Sequence, residues 1–76
     1  MSQLNKTILV FKTDLESDDR LETIKPVLDK HPAIIKWNVD RQDKDKVLRI
    51  ESENIAPAVV IGMVQAAGFL CEELPD

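Results

Sequence analysis

Few side chains in this sequence could do chemistry, and their spacing narrows what that chemistry is. The chain has a single thiol, Cys71, a single imidazole, His31, and an acidic run with one cation at its end, Glu16-Ser17-Asp18-Asp19-Arg20. One cysteine can neither close an intrachain disulfide nor offer paired thiolates to a soft ion. Cys71 lies in Phe69-Leu70-Cys71 and reads as a small core or edge hydrophobe. His31 stands between Lys30 and Pro32 at the expected end of a helix, where a solvated terminal imidazole accounts for it better than a metal ligand or a base. The acidic run has two readings. As a helix start, Ser17, Asp18 and Asp19 supply capping oxygens and negative charge. As a weak site for Ca²⁺ or Mg²⁺, Glu16, Asp18 and Asp19 supply carboxylates, but the Gly turn and ligand spacing of a calcium loop are missing and Arg20 opposes a cation. A hydrolase with Arg20 as anion clamp would need a cradle of backbone N–H groups, usually in a Gly-containing loop, and residues 14–19 are anionic without Gly. No catalytic residue and no cofactor is expected.

The elements that must carry these residues follow from periodicity. Thr7 to Thr13 is β-branched and aromatic, with apolar residues at both parities, and is expected to be a strand. Asp19 with Glu22 reads as a capping box, and Leu21, Ile24, Val27 and Leu28 give the following helix one apolar face ending near Lys30-His31-Pro32. Pro26 should loosen its middle. Ile35, Trp37 and Val39 alternate with Lys36, Asn38 and Asp40, which predicts a second strand with those three apolar residues inward. A polar loop from Asp40 to Lys46 leads to a third strand, Val47 to Glu51, as in a hairpin. Asn54 is placed as N-cap of a second helix from Ile55 to Ala67, with Pro57 in its first turn and Gly68 at its end. Phe69 to Leu74 supplies a short last strand. The order βαββαβ predicts an α+β, ferredoxin-like sandwich: a four-stranded antiparallel sheet with two helices on one face.

Composition bounds the function classes. Seventy-six residues make one domain, residues 1–76, too small for an enzyme with a separate substrate lobe. With 43% hydrophobic and 32% charged residues the chain is too apolar for disorder. Ten scattered basic residues against fourteen acidic ones leave a net charge of -4, so the counterion release that drives nucleic-acid binding is largely missing. Strand three also offers no aromatic stacking platform. No apolar stretch approaches the roughly 20 residues that cross a bilayer, so no membrane insertion is expected. No basic and apolar leader precedes Thr7, and the cytoplasm is the expected location.

Phe11-Lys12-Thr13-Asp14-Leu15-Glu16-Ser17-Asp18-Asp19-Arg20, Ile24, Pro26-Val27-Leu28, Trp37-Asn38-Val39-Asp40, Lys46-Val47-Leu48 and Ile55 through Ala67-Gly68-Phe69 together resemble the heavy-metal-associated domains of small copper chaperones and metal-pumping ATPases. The resemblance spans nearly the whole chain. It implies a soft-metal site in the loop between strand one and helix one, built on a Cys-x-x-Cys motif whose two cysteine positions fall on Ser17 and Arg20. Neither is a thiol, and a hydroxyl with a guanidinium cannot replace two thiolates for Cu(I). The resemblance also places Phe69 beside that loop, and in this chain it is expected to pack against Leu15. Two roles remain open. One is an interaction module whose metal loop has degenerated; the other is a metal carrier with non-standard or intersubunit ligands, with Asp18, Asp19 and Cys71 as weak candidates.

The second helix is unusual in being apolar almost all round, with Gln65 its only polar residue between Ile55 and Ala67. At 100° per residue, Val60, Ile61, Val64 and Ala67 share the sheet-facing side, and Ala58, Val59, Gly62, Met63 and Ala66 point largely outward. An apolar outer face predicts a cover, a protein partner or a second copy of the chain about a two-fold axis. The bland alternative is small-residue surface, since Ala is the best helix former.

Overall fold

The computed structural model describes residues 6–74. The elements run β1 (Lys6–Thr13), α1 (Asp18–Asp29), β2 (Ile34–Asp40), β3 (Val47–Glu53), α2 (Pro57–Ala66) and β4 (Cys71–Glu73). The four strands form one antiparallel sheet in the order β2-β3-β1-β4, with β1 paired to both β3 and β4. This is the expected ferredoxin-like sandwich.

Strand alternation sets the core. Leu9, Phe11 and Thr13 of β1 and Leu48, Ile50 and Ser52 of β3 are buried, while their neighbours along each strand are more exposed. Ile24 and Leu28 of α1 and Val60 and Val64 of α2 complete the layer, all fully buried. Each such side chain contributes about 1.5–3 kcal/mol by leaving water. Thr13 closes the exit of β1: its hydroxyl donates to the Lys46 carbonyl (2.6 Å) and accepts from the Leu15 N–H (3.2 Å). That ties the β1–α1 loop to the end of the β2–β3 hairpin.

Four sequence expectations change in the structure. Helix α1 is capped by Ser17, whose backbone is extended and whose hydroxyl accepts from the Arg20 N–H, so Asp19 lies in the first turn and the capping box with Glu22 does not form. Strand β2 carries a bulge between Ile34 and Lys36, which leaves Ile35 46% exposed and turns Ile34 toward the core with Trp37 and Val39. One extra residue shifts the alternation upstream of it by one position. Helix α2 starts at Pro57, with Ala56 extended at the cap position and no side chain bonded there. Proline disfavours the helical region for the residue before it, so Asn54 cannot be the cap and instead takes a left-handed turn at φ 59. Met63, expected to point outward, is partly buried against the core. The end of α2 is as expected. Gly68 sits at φ 97, its N–H donates to Gln65 O (2.9 Å) and the Phe69 N–H reaches Val64 O (3.2 Å), the two bonds of a Schellman ending.

Candidate functional site

The β1–α1 loop, residues 14–17, lies at the end of the sheet where β1 exits and β4 begins. Its polar groups are bonded to one another, to Arg20 of α1 and to Leu70 before β4. The Asp14 carboxylate pairs with the Arg20 guanidinium through Oδ2 (3.1 Å) and accepts the Leu70 N–H through Oδ1 (3.0 Å). The same Arg20 nitrogen donates to the Asp14 carbonyl (2.9 Å), and the Glu16 N–H donates to that carbonyl as well (2.9 Å). Ser17 Oγ accepts the Arg20 N–H at 3.3 Å. Arg20 therefore folds back to Asp14, six residues upstream, and Asp14 ties the loop to Leu70, just before β4.

The remaining acids are distributed rather than gathered. Asp18 pairs with Arg41 of the β2–β3 loop, and Asp19 is exposed in the first turn of α1, where the helix dipole favours its charge. Among the described residues no group of three or more His, Cys, Asp or Glu side chains is arranged to hold a metal ion. Cys71 is buried, opposite Thr13 in the β1–β4 ladder, and burial pushes its thiol up to about 11. At that value it stays protonated near neutrality, and a protonated thiol is a poor ligand. His31 Nδ1 accepts the Ala33 N–H (3.1 Å) in the turn after α1, which occupies one ring nitrogen.

Soft-metal chemistry does not fit these residues. Cu(I) takes thiolate or thioether donors, and the two positions that the resemblance assigns to cysteine hold a hydroxyl engaged as a helix cap and a cation engaged with Asp14. The structure brings Ser17 and Arg20 together, as the resemblance implies, but as partners of one cap and one ion pair. Asp14 was not legible as a site residue. A carboxylate six positions before an Arg has no helical or strand spacing, and only the turn of the loop joins them. Leu70, 67% exposed beside the loop, was equally unmarked.

No family model matches the sequence, and no curated protein matches it. Solved structures do. Oxidized MerP from Ralstonia metallidurans CH34 aligns with a TM-score of 0.77 at 10% identity, over 92% of this chain and 99% of that chain. The copper(I)-loaded first domain of the human copper chaperone for SOD1, CCS, aligns at 0.74 and 10% identity, over 90% and 92%. The fold is that of the heavy-metal-associated domains. The N-terminal domain of PacS from Synechocystis PCC6803 shares it at 0.73 and 13% identity, over 91% and 98%. On this heavy-metal-associated fold, one cysteine in 76 residues leaves no Cys-x-x-Cys motif.

The outer face of α2 is the second candidate surface. Ala58, Val59, Gly62 and Ala66 are exposed, Val59 at 43%, and Met63 is half-covered at their edge. A Cβ built on Gly62 meets nothing within 4 Å. Glycine in a helix interior costs about 0.5–1 kcal/mol relative to alanine, and nothing among the described residues requires it here. No helix among the described residues is long and apolar enough to cross a membrane.

Proposed function

We propose that this domain is a non-enzymatic interaction module of the heavy-metal-associated fold, cytoplasmic, with its soft-metal chemistry lost and its contacts made by the outer face of α2. The observation that carries the loss is the Arg20–Asp14 pair, which fills the metal loop with an internal salt bridge and leaves Ser17 capping the helix. The contact surface comprises Ala58, Val59, Gly62 and Ala66, with Met63 at its margin, and a second copy of the chain is the partner proposed. Gly62 supports that choice, because its missing Cβ serves no contact among the described residues and would let another backbone approach.

Sedimentation of the protein beside Val59→Glu tests this. Val59 is exposed, so the substitution leaves the monomer folded, and the expected result is a dimer that the variant converts to monomer. A monomer in both cases removes the α2 interface.

The shared fold favours one competing reading, a metal carrier with other ligands, since one structural neighbour is a copper(I)-loaded domain. A Cu(I) titration under reducing conditions separates the two. Tight stoichiometric binding that disappears in Cys71→Ser would establish the carrier; competition by a weak chelator for all added copper is the outcome expected here.

A further inference from the structure

The face of the sheet opposite the helices carries a feature that the α2 reading does not use. Its rows are fixed by register: Lys36, Glu51 and Ile8 in one, Asn38, Arg49 and Val10 in the next. An open hollow of about 250 Å³ lies over them, lined by Ile8, Lys36, Asn38, Arg49 and Glu51 together with Trp37. The one carboxylate of that lining is already held, since Glu51 pairs with Lys6 (3.4 Å) and Lys36 (3.9 Å). Arg49 is exposed and makes no ion pair or side-chain hydrogen bond among the described residues. A neighbouring hollow of about 490 Å³ shares Asn38 and Arg49 and borders Asp40 and Asp43. Those two carboxylates accept N–H groups of their own loop, from Gln42 (3.1 Å) and Asp45 (2.9 Å). The chain is net negative, yet its helix-free face presents a guanidinium unpaired among the described residues, beside a lysine and with Ile8 46% exposed next to them.

We infer that this hollow is a docking site for an acidic, extended segment of a protein partner, with Arg49 pairing a carboxylate and Ile8 covering the adjacent apolar side chain. An exposed guanidinium matches a carboxylate in bidentate geometry, and Asn38 beside it can donate a further N–H. Cation and apolar residue stand on neighbouring strands of one face, which suits a strand whose side chains alternate. A nucleic acid fits less well. Stacking would need an exposed aromatic, and the one Trp has its indole N–H bonded to Asp29 (2.9 Å) with its ring on the helix side.

An amide NMR titration of the full chain at low salt tests this, using an acetylated and amidated hexapeptide of alternating Val and Glu as probe. Saturable shifts at Ile8, Lys36, Asn38 and Arg49 are expected, weakened about tenfold in Arg49→Gln and absent with the matching Val-Lys peptide. Arg49 is exposed, so the variant keeps the fold, which its amide spectrum verifies directly. Absence of saturation at millimolar peptide, shifts indifferent to Arg49→Gln, or stronger binding of oligothymidylate at the same residues each overturns the assignment. The site lies on the opposite face from α2, so neither result bears on the oligomeric state.

Discussion

Replacing Ser17 by Ala removes the oxygen that accepts the Arg20 N–H and leaves a helix donor without its partner. Loss of an N-cap costs about 1 kcal/mol, and urea denaturation of Ser17→Ala should show a loss of that size. Ser17 thus stabilises the helix start through its hydroxyl. The Asp14–Arg20 pair is weaker than its position suggests, because its side chains are 30% and 40% exposed and solvent screens them. Beyond the shared pair, Asp14→Ala loses the acceptor of the Leu70 N–H and Arg20→Ala loses the donor to the Asp14 carbonyl, so adding Asp14→Ala to Arg20→Ala should lower the melting temperature further. No further loss in that double variant, measured by thermal melting, would mean that the tie to β4 contributes nothing. Cys71 gives the pH prediction. Its thiol is neutral in the folded chain up to about 11 and starts from an ordinary value of 9.0. Above the ordinary value the unfolded chain loses the proton and the folded chain keeps it, so its stabilising contribution is full below that value and is lost as pH rises toward 11. The slope is about 1.4 kcal/mol per pH unit across that window and should be absent in Cys71→Ala.

At the scale of elements, what the sequence shows depends on whether the deciding interaction is local. Strand β1 and the end of α2 are local matters of β-branched residues and a glycine, and both were legible. The start of α2 differs from expectation because two signals compete: Asn54 is a good cap by type, but Pro57 sets the backbone of Ala56 and moves the start two residues on. The start of α1 illustrates the same competition. Ser17 and Asp19 both suit a cap, and the loop's path from Thr13, pinned to the hairpin through Lys46, chooses Ser17. The bulge of β2 has no local mark, since Ile34-Ile35 satisfies either parity and only pairing with β3 decides which isoleucine turns inward. The site divides along the same line. The lack of paired sulfurs was legible from composition, whereas the Arg20–Asp14–Leu70 tie joins residues up to 56 apart in sequence and required the fold. The two glycines make a paired prediction. Gly68→Ala places a side chain at φ 97 and should destabilise by about 1 kcal/mol or more, while Gly62→Ala removes a helix penalty and should stabilise the monomer by about 0.5–1 kcal/mol. Denaturant midpoints of the two variants, taken at a protein concentration low enough to keep the parent monomeric and moving in opposite directions, are the check.

A domain of this size buries only about 60% of the surface its unfolded chain exposes, so association that covers α2 has an energetic consequence for the whole molecule. Anything that binds the folded state and not the unfolded one raises the melting temperature with concentration, whereas an isolated monomer melts at a temperature independent of it. The melting temperature of this protein should therefore rise with protein concentration, and that of Val59→Glu should not. Gly62→Ala separates the two roles of the missing Cβ. Within the monomer the added methyl meets nothing and raises helix propensity, so the variant should melt higher than the parent at low concentration. Between two copies the same methyl holds the helices apart, so the variant should lose the concentration dependence and melt lower than the parent once the parent is dimeric. The two melting curves plotted against concentration should cross. If Gly62→Ala instead melts higher at every concentration, with the parent's dependence intact, then Gly62 admits no partner backbone and the α2 face is small-residue surface alone.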